Sequence, residues 1–186
     1  MKKIFITTLI ILGLFSASAW AGWDPHKTEQ ANSKQDVMNK QVAATIAAFK
    51  RKDPSLKLFF NKAHGYAVFP TVGKGGFFIG GAYGDGNVYE QGKLIGTTSL
   101  TQVTVGLQVG GQAYSEIIFF KNKKALDDFK FGKLKFGAQV SAVAAAAGAA
   151  ANADYNKGVA IFTLSKGGLM GEASMGGQSF SFTPIK

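Results

Sequence analysis

The chain of 186 residues contains no cysteine. That removes disulfides, thiolate nucleophiles and cysteine metal sites together, and with them the lipid-bearing cysteine of a tethered lipoprotein. Arginine is nearly absent too. Arg51 stands alone among 21 basic residues, so a chain built for bidentate reading of phosphates or bases is not indicated. Only two histidines are present, His26 and His64, in no metal-ligand spacing and without a G-x-S-x-G elbow to pair with. Neither is selected for catalysis, and His64 reads as a residue of a helix end. The 11 acidic residues are scattered. Asp85 with Glu90 could in principle form a glycosidase pair, but nothing distinguishes them from turn and surface carboxylates. No catalytic residue, metal ligand or cofactor is nominated.

What is present begins with Lys2 and Lys3, an apolar run from Ile4 to Phe15, and Ala19-Trp20-Ala21. A positive start, a short apolar stretch and an A-x-A pattern describe a cleavable signal peptide. The run is short for a span of roughly 20 apolar residues. The expected mature chain starts at Gly22, is periplasmic or secreted, and sets 19 basic residues against 11 acidic ones. That excess favours anionic surfaces, and an exported protein meets lipid and glycan rather than nucleic acid.

Three segments are expected: residues 1–21 as signal peptide, 22–52 as a polar amphipathic helical segment, and 53–186 as the main domain. Met38, Val42, Ile46 and Phe49 recur at helical spacing and lead into the basic run Lys50-Arg51-Lys52. Asp53 and Pro54 are an N-cap and a first-turn proline. The helix they open has Leu56, Phe59, Phe60 and Ala63 on its apolar face, and Gly65 is expected to cap it.

From Tyr66 the texture becomes short apolar or alternating runs broken by glycine: 66–69, 76–83, 87–90, 93–95, 102–109 and 112–120. Gly84-Asp85-Gly86 and Gln91-Gly92 read as turns between antiparallel strands. Asn122 opens a helix over Lys123–Phe131, with Leu126 and Phe129 inward and Gly132 ending it. Strand texture returns over 135–143, 158–165, 169–175 and 179–182, while the alanine run Ala144–Ala151 fits either helix or loop. Lys74-Gly75-Gly76-Phe77-Phe78 is echoed by Lys166-Gly167-Gly168-Leu169-Met170, too briefly to be a repeat. The glycine-rich stretch from Gly73 to Gly81 lacks the following helix of a dinucleotide loop and the Walker ending. It reads as closely packed strands. An outer-membrane barrel is disfavoured by the short strands, the helical first third and the non-aromatic end Pro184-Ile185-Lys186.

These elements define an α+β domain: N-terminal helices on a curved antiparallel or barrel-like sheet, with one short inserted helix. Val68, Phe77, Ile79, Val103, Val105, Leu107, Ile118 and Phe162 are the expected inward residues. The basic helical face (Lys50, Arg51, Lys52, Lys57, Lys62) is the candidate surface for anionic lipid, against the plainer reading of a solvated face. A second cluster comprises Lys121, Lys123, Lys124, Lys130, Lys133 and Lys135.

Ordered motifs extend this. Ala63-His64-Gly65-Tyr66-Ala67-Val68-Phe69-Pro70 is followed by Val72, Lys74, Gly76, Phe77, Gly80, Gly81, Gly84 and Gly86. Gly106-Leu107-Gln108 with Gly110-Gly111-Gln112 comes next, then Phe119, Ala125-Leu126 and Phe129. Ser165-Lys166-Gly167-Gly168-Leu169-Met170, continuing to Ser174 and Gly177, completes the set. From Asp53 to Phe182 the chain resembles the SYLF domain family, which includes the Ysc84-like actin-binding domains. The resemblance implies a non-enzymatic lipid-binding module, with Lys50, Arg51, Lys52, Lys57, Lys62 and Lys74 as lipid contacts by position. An exported member would not meet actin, and the Ala-rich run replaces the family's Gly/Pro-rich segment. The alternative is a structural or stress-related envelope protein that binds protein or glycan partners.

Overall fold

The computed structural model describes residues 25–76, 79–105, 110–134, 142–167 and 177–185. The expected signal peptide, the strands around 135–141 and 169–175, and Phe77 and Leu107 lie outside these residues. The helical spacing of Met38, Val42, Ile46 and Phe49 is realised in one long helix, α1 (Pro25–Lys52). Val42, Thr45 and Phe49 are buried, whereas residues 29–41 contribute no buried side chain. Among the described residues, apolar packing of α1 therefore runs from the half-buried Met38 to Phe49.

Asp53 then does what its position before a proline suggests. It is extended, accepts the Ser55 amide, and opens a 3-10 turn (Pro54–Leu56) that runs into α2 (Lys57–Lys62). The helix ends at an extended Ala63. Gly65, expected as its cap, is instead the first residue of a strand. A Cβ there would stand 2.6 Å from the Tyr89 carbonyl oxygen.

Seven strands make one sheet in the order β5-β6-β4-β1-β2-β3-β7. They are β1 (Gly65–Gly76), β2 (Ile79–Glu90), β3 (Lys93–Val105), β4 (Gly110–Phe120), β5 (Val143–Ala144), β6 (Val159–Gly167) and β7 (Gln178–Pro184). All neighbours are antiparallel except β5 and β6. The β2–β3 turn is Gln91-Gly92, both at positive φ (49° and 78°), the geometry that suits a two-residue hairpin. Gly84-Asp85-Gly86, expected as a turn, lies inside β2. Its glycines serve close approach: a Cβ on Gly86 would meet the Val68 carbonyl oxygen of β1 at 2.3 Å.

The sheet curls without closing, and its two faces carry separate cores. On the inner face Ala67, Phe69, Leu100, Ile118, Phe120 and Ile161 pack with Leu126 and Phe129 of α3 (Lys123–Lys130). Asn122 caps α3 by accepting the Ala125 amide, and Gly132 follows it at φ +66°. On the outer face Val68, Ile117, Phe119 and Phe162 are covered by α1 and α2. The α+β expectation holds. Val68, Ile118 and Phe162 are buried as expected, but Val103 is 69% exposed. Strand alternation explains this: Leu100 and Gln102 of β3 turn inward, so Val103 must face out.

Candidate functional site

The corner where α1 meets α2 is built by aromatic packing. Phe59 sits with its ring centroid 5.4 Å from Phe119, 5.3 Å from Tyr155 and 4.9 Å from Phe162. Phe60 packs edge-on against Phe119 at 4.8 Å and Tyr66 at 5.2 Å. Such pairs add about 0.5–1.5 kcal/mol each beyond area burial, enough to fix a helix of six residues. With both phenylalanines turned in, Leu58 is left 50% exposed between Lys57 and Lys62, which point into solvent.

The Asp53 carboxylate clamps the corner from below. Fully buried, it accepts the Ser55 hydroxyl (2.5 Å), the Ser55 amide (3.0 Å), and the amides of Gly148 (3.2 Å) and Ala150 (2.7 Å). Burial pushes its pKa up, but these four hydrogen bonds outweigh burial and hold it below the ordinary carboxylate value. The alanine run, which fitted helix or loop, is thereby placed: a turn at 147–149 and a 3-10 turn at Ala150–Asn152.

Five of the six positions singled out from the sequence gather here. Arg51, Lys52, Lys57 and Lys62 are exposed, and the Lys50 ammonium lies over the Phe60 ring, 4.3 Å from its centroid. Among the described residues none of the five is in an ion pair. Lys74 is elsewhere, nine residues along β1 from Gly65, on the order of 30 Å away at strand rise. The second basic cluster behaves differently. Lys123 and Lys124 pair with Asp127 and Asp128, each at 2.6 Å, and Lys130 reaches Asp127 at 3.1 Å. Lys121 leaves that group and joins Lys62, His64 and Gln91 around a recess of about 550 Å3. His64 is bonded to Glu90 at 2.8 Å.

Leu58 was missed in the sequence, and Lys121 was grouped there with the second cluster rather than with α2. Counting helical positions finds Leu58, since Phe59 and Phe60 cannot share their face with it. Lys121 becomes visible only when β4 is seen to end beside α2. A third residue, Glu116 of β4, is fully buried inside the curl, where it accepts the Gln178 side-chain amide at 3.1 Å. Its Oε1 has no partner among the described residues. Desolvation raises its pKa to about 8, against the single hydrogen bond that lowers it. The neighbouring Tyr114 phenol is pushed far above its usual range, by burial and then by Glu116. No helix among the described residues is long and apolar enough to cross a membrane.

Residues 101–183 match the family model described as Ysc84, Las17-binding protein actin regulator. The chain is also 29% identical over 152 residues to Beta cell expansion factor A of Aeromonas veronii. That alignment covers 81% of the chain and 58% of the relative, so the chain spans less than two thirds of that protein's length. The family is a lipid-binding one and not a known enzyme class. With the sheet matched from the end of β3 through β7 and the earlier motifs in order, the chain resembles the Ysc84 (SYLF) domain family.

Proposed function

We propose that the protein docks reversibly on anionic phospholipid through the α1–α2 corner and performs no chemistry. The observation that carries this reading is an exposed Leu58 on α2 between Lys57 and Lys62, with Arg51 and Lys52 exposed at the end of α1, cations with no carboxylate partner among the described residues. An apolar tip on a basic corner suits the boundary between headgroups and acyl chains. The recess beside Lys62 and Lys121 offers a seat for a headgroup phosphate. Each lysine or arginine near an anionic leaflet contributes about 1 kcal/mol, an attraction that salt weakens. The signal-like start at residues 1–21 makes the cell envelope the setting, away from actin.

Co-sedimentation with neutral and anionic vesicles at low and high salt tests this. Binding to anionic vesicles alone, weakened by salt, is expected. Changing Lys50, Arg51 and Lys52 to Glu should lower that affinity at least a hundred-fold, since about 3 kcal/mol of attraction is lost and repulsion added. Unchanged binding in the triple variant would remove the corner from the lipid site. Leu58→Ser should weaken binding without changing its salt dependence.

A further inference from the structure

A second surface on the same face of the sheet has a different chemistry. Cross-strand pairing aligns Asn87, Thr97 and Thr183 in one row over β2, β3 and β7, and Asp85, Ser99 and Ser181 in the next. A third row holds Tyr83, Thr101 and Ser179. Residues paired across strands share a face, so nine neighbouring positions present seven hydroxyls, one amide and one carboxylate. The rows extend roughly 10 Å across the strands and 13 Å along them, at strand spacings of about 4.8 Å and a rise of about 3.3 Å.

This face is not bare. The first half of α1 overhangs it, and Ala31, Lys34, Gln35 and Met38 form the opposite wall of a cleft of about 400 Å3. Gln35 and Asn39 hold the helix there through the buried Asn87. Its amide donates to Asn39 at 2.8 Å and its carbonyl accepts from Gln35 at 3.2 Å. The cleft floor is ordered too. The Ser99 and Ser181 hydroxyls bond each other at 2.6 Å, and the Tyr83 phenol donates to Asp85 at 2.6 Å. That bond fixes a ring that is 56% exposed. The hydroxyls of Thr97, Thr101, Ser179 and Thr183 have no partner among the described residues.

We infer that this cleft is a binding site for a neutral glycan chain. Serine and threonine hydroxyls both donate and accept, as sugar hydroxyls do. The pinned Tyr83 ring offers an apolar platform for the C–H face of a pyranose, and Asp85 can accept from two adjacent hydroxyls. A phosphate-bearing ligand does not fit, because among the described residues Lys34 is the one cation lining the cleft and Asp85 lines it too. An acyl chain does not fit a floor of hydroxyls. The site is separate from the lipid corner, and its binding is insensitive to salt.

The test is an amide-shift titration of the purified 15N-labelled protein with chitotetraose and with maltotetraose, at low and high salt. Shifts at residues 83–85, 97–101 and 179–183 with either sugar, equal at both salts, are expected. Tyr83→Ala should weaken the same titration at least ten-fold. The isosteric pair Thr97→Val and Thr183→Val should weaken it with an unchanged melting temperature. No shift at these amides with millimolar sugar overturns the assignment, as does an affinity that Tyr83→Ala leaves unchanged. Loss of vesicle binding in the Lys50/Arg51/Lys52 variant with sugar shifts retained separates this site from the lipid reading.

Discussion

On the outer face of β4 and β6, Phe119 and Phe162 stand fully buried beneath α2; on the same face of β3 and β7, Ser99 and Ser181 face a cleft. The backbone ladder is continuous between the two halves, so it does not distinguish them. Side chains do. Where Phe and Ile occupy the outward positions, helices must cover them, and the fold is tied down. Where Thr and Ser occupy them, hydrogen-bonding to water suffices and the covering helix stands off. The fold is anchored in the first half, while the second has freedom to meet a ligand.

The sharpest way to test that contrast is to remove one ring from the covered half. Phe119→Ala should destabilise by about 3–5 kcal/mol, the usual cost of emptying a large aromatic site, measured as a shift in urea midpoint at constant m. Second in size is the tie between the halves, the Glu116–Gln178 contact from β4 to β7. The unfolded chain ionises Glu116 near 4.5 and the folded chain near 8. Below about 4.5 both states hold the proton and stability is fully present. It is lost as pH rises from there to about 8, and then levels. Glu116→Gln should abolish that decline, seen as a flat melting temperature across the window.

Next comes Asp53→Ala, which frees the Gly148 and Ala150 amides as well as the cap. A loss of about 2–3 kcal/mol is expected, together with faster hydrogen exchange at Gly148 and Ala150. Smallest is Ser99→Ala with Ser181→Ala, whose effect on stability should stay within about 0.5 kcal/mol. A large loss there would mean that the hydroxyl half is structural after all.

How much of this the sequence revealed depended on range. The α1 periodicity, the Asn122 cap and the Gln91-Gly92 turn are local signals, and each stands as read. Gly84 and Gly86 misled because a glycine that permits close approach looks the same in sequence as one that permits a turn. Val103 misled because its polar neighbour Gln102 is the buried one. The α1–α2 lysines were legible as a cluster since they are consecutive or one turn apart. Lys74 could not be separated from them until the length of β1 was known. The alanine run is positioned by Asp53, 97 residues before Ala150, a distance over which composition carries no information.

The pairing of Gly96 with Pro184 sets the order in which the molecule can be assembled. Strands β1, β2 and β3 pair with their neighbours in the chain and can do so early. β3 must wait for residues more than 75 positions later to fill its outer edge. Contacts of such separation form slowly, and meanwhile that edge exposes a row of unpaired amides and carbonyls. In the finished sheet β7 takes over as that edge, and Pro184 at its end offers no amide to a further strand.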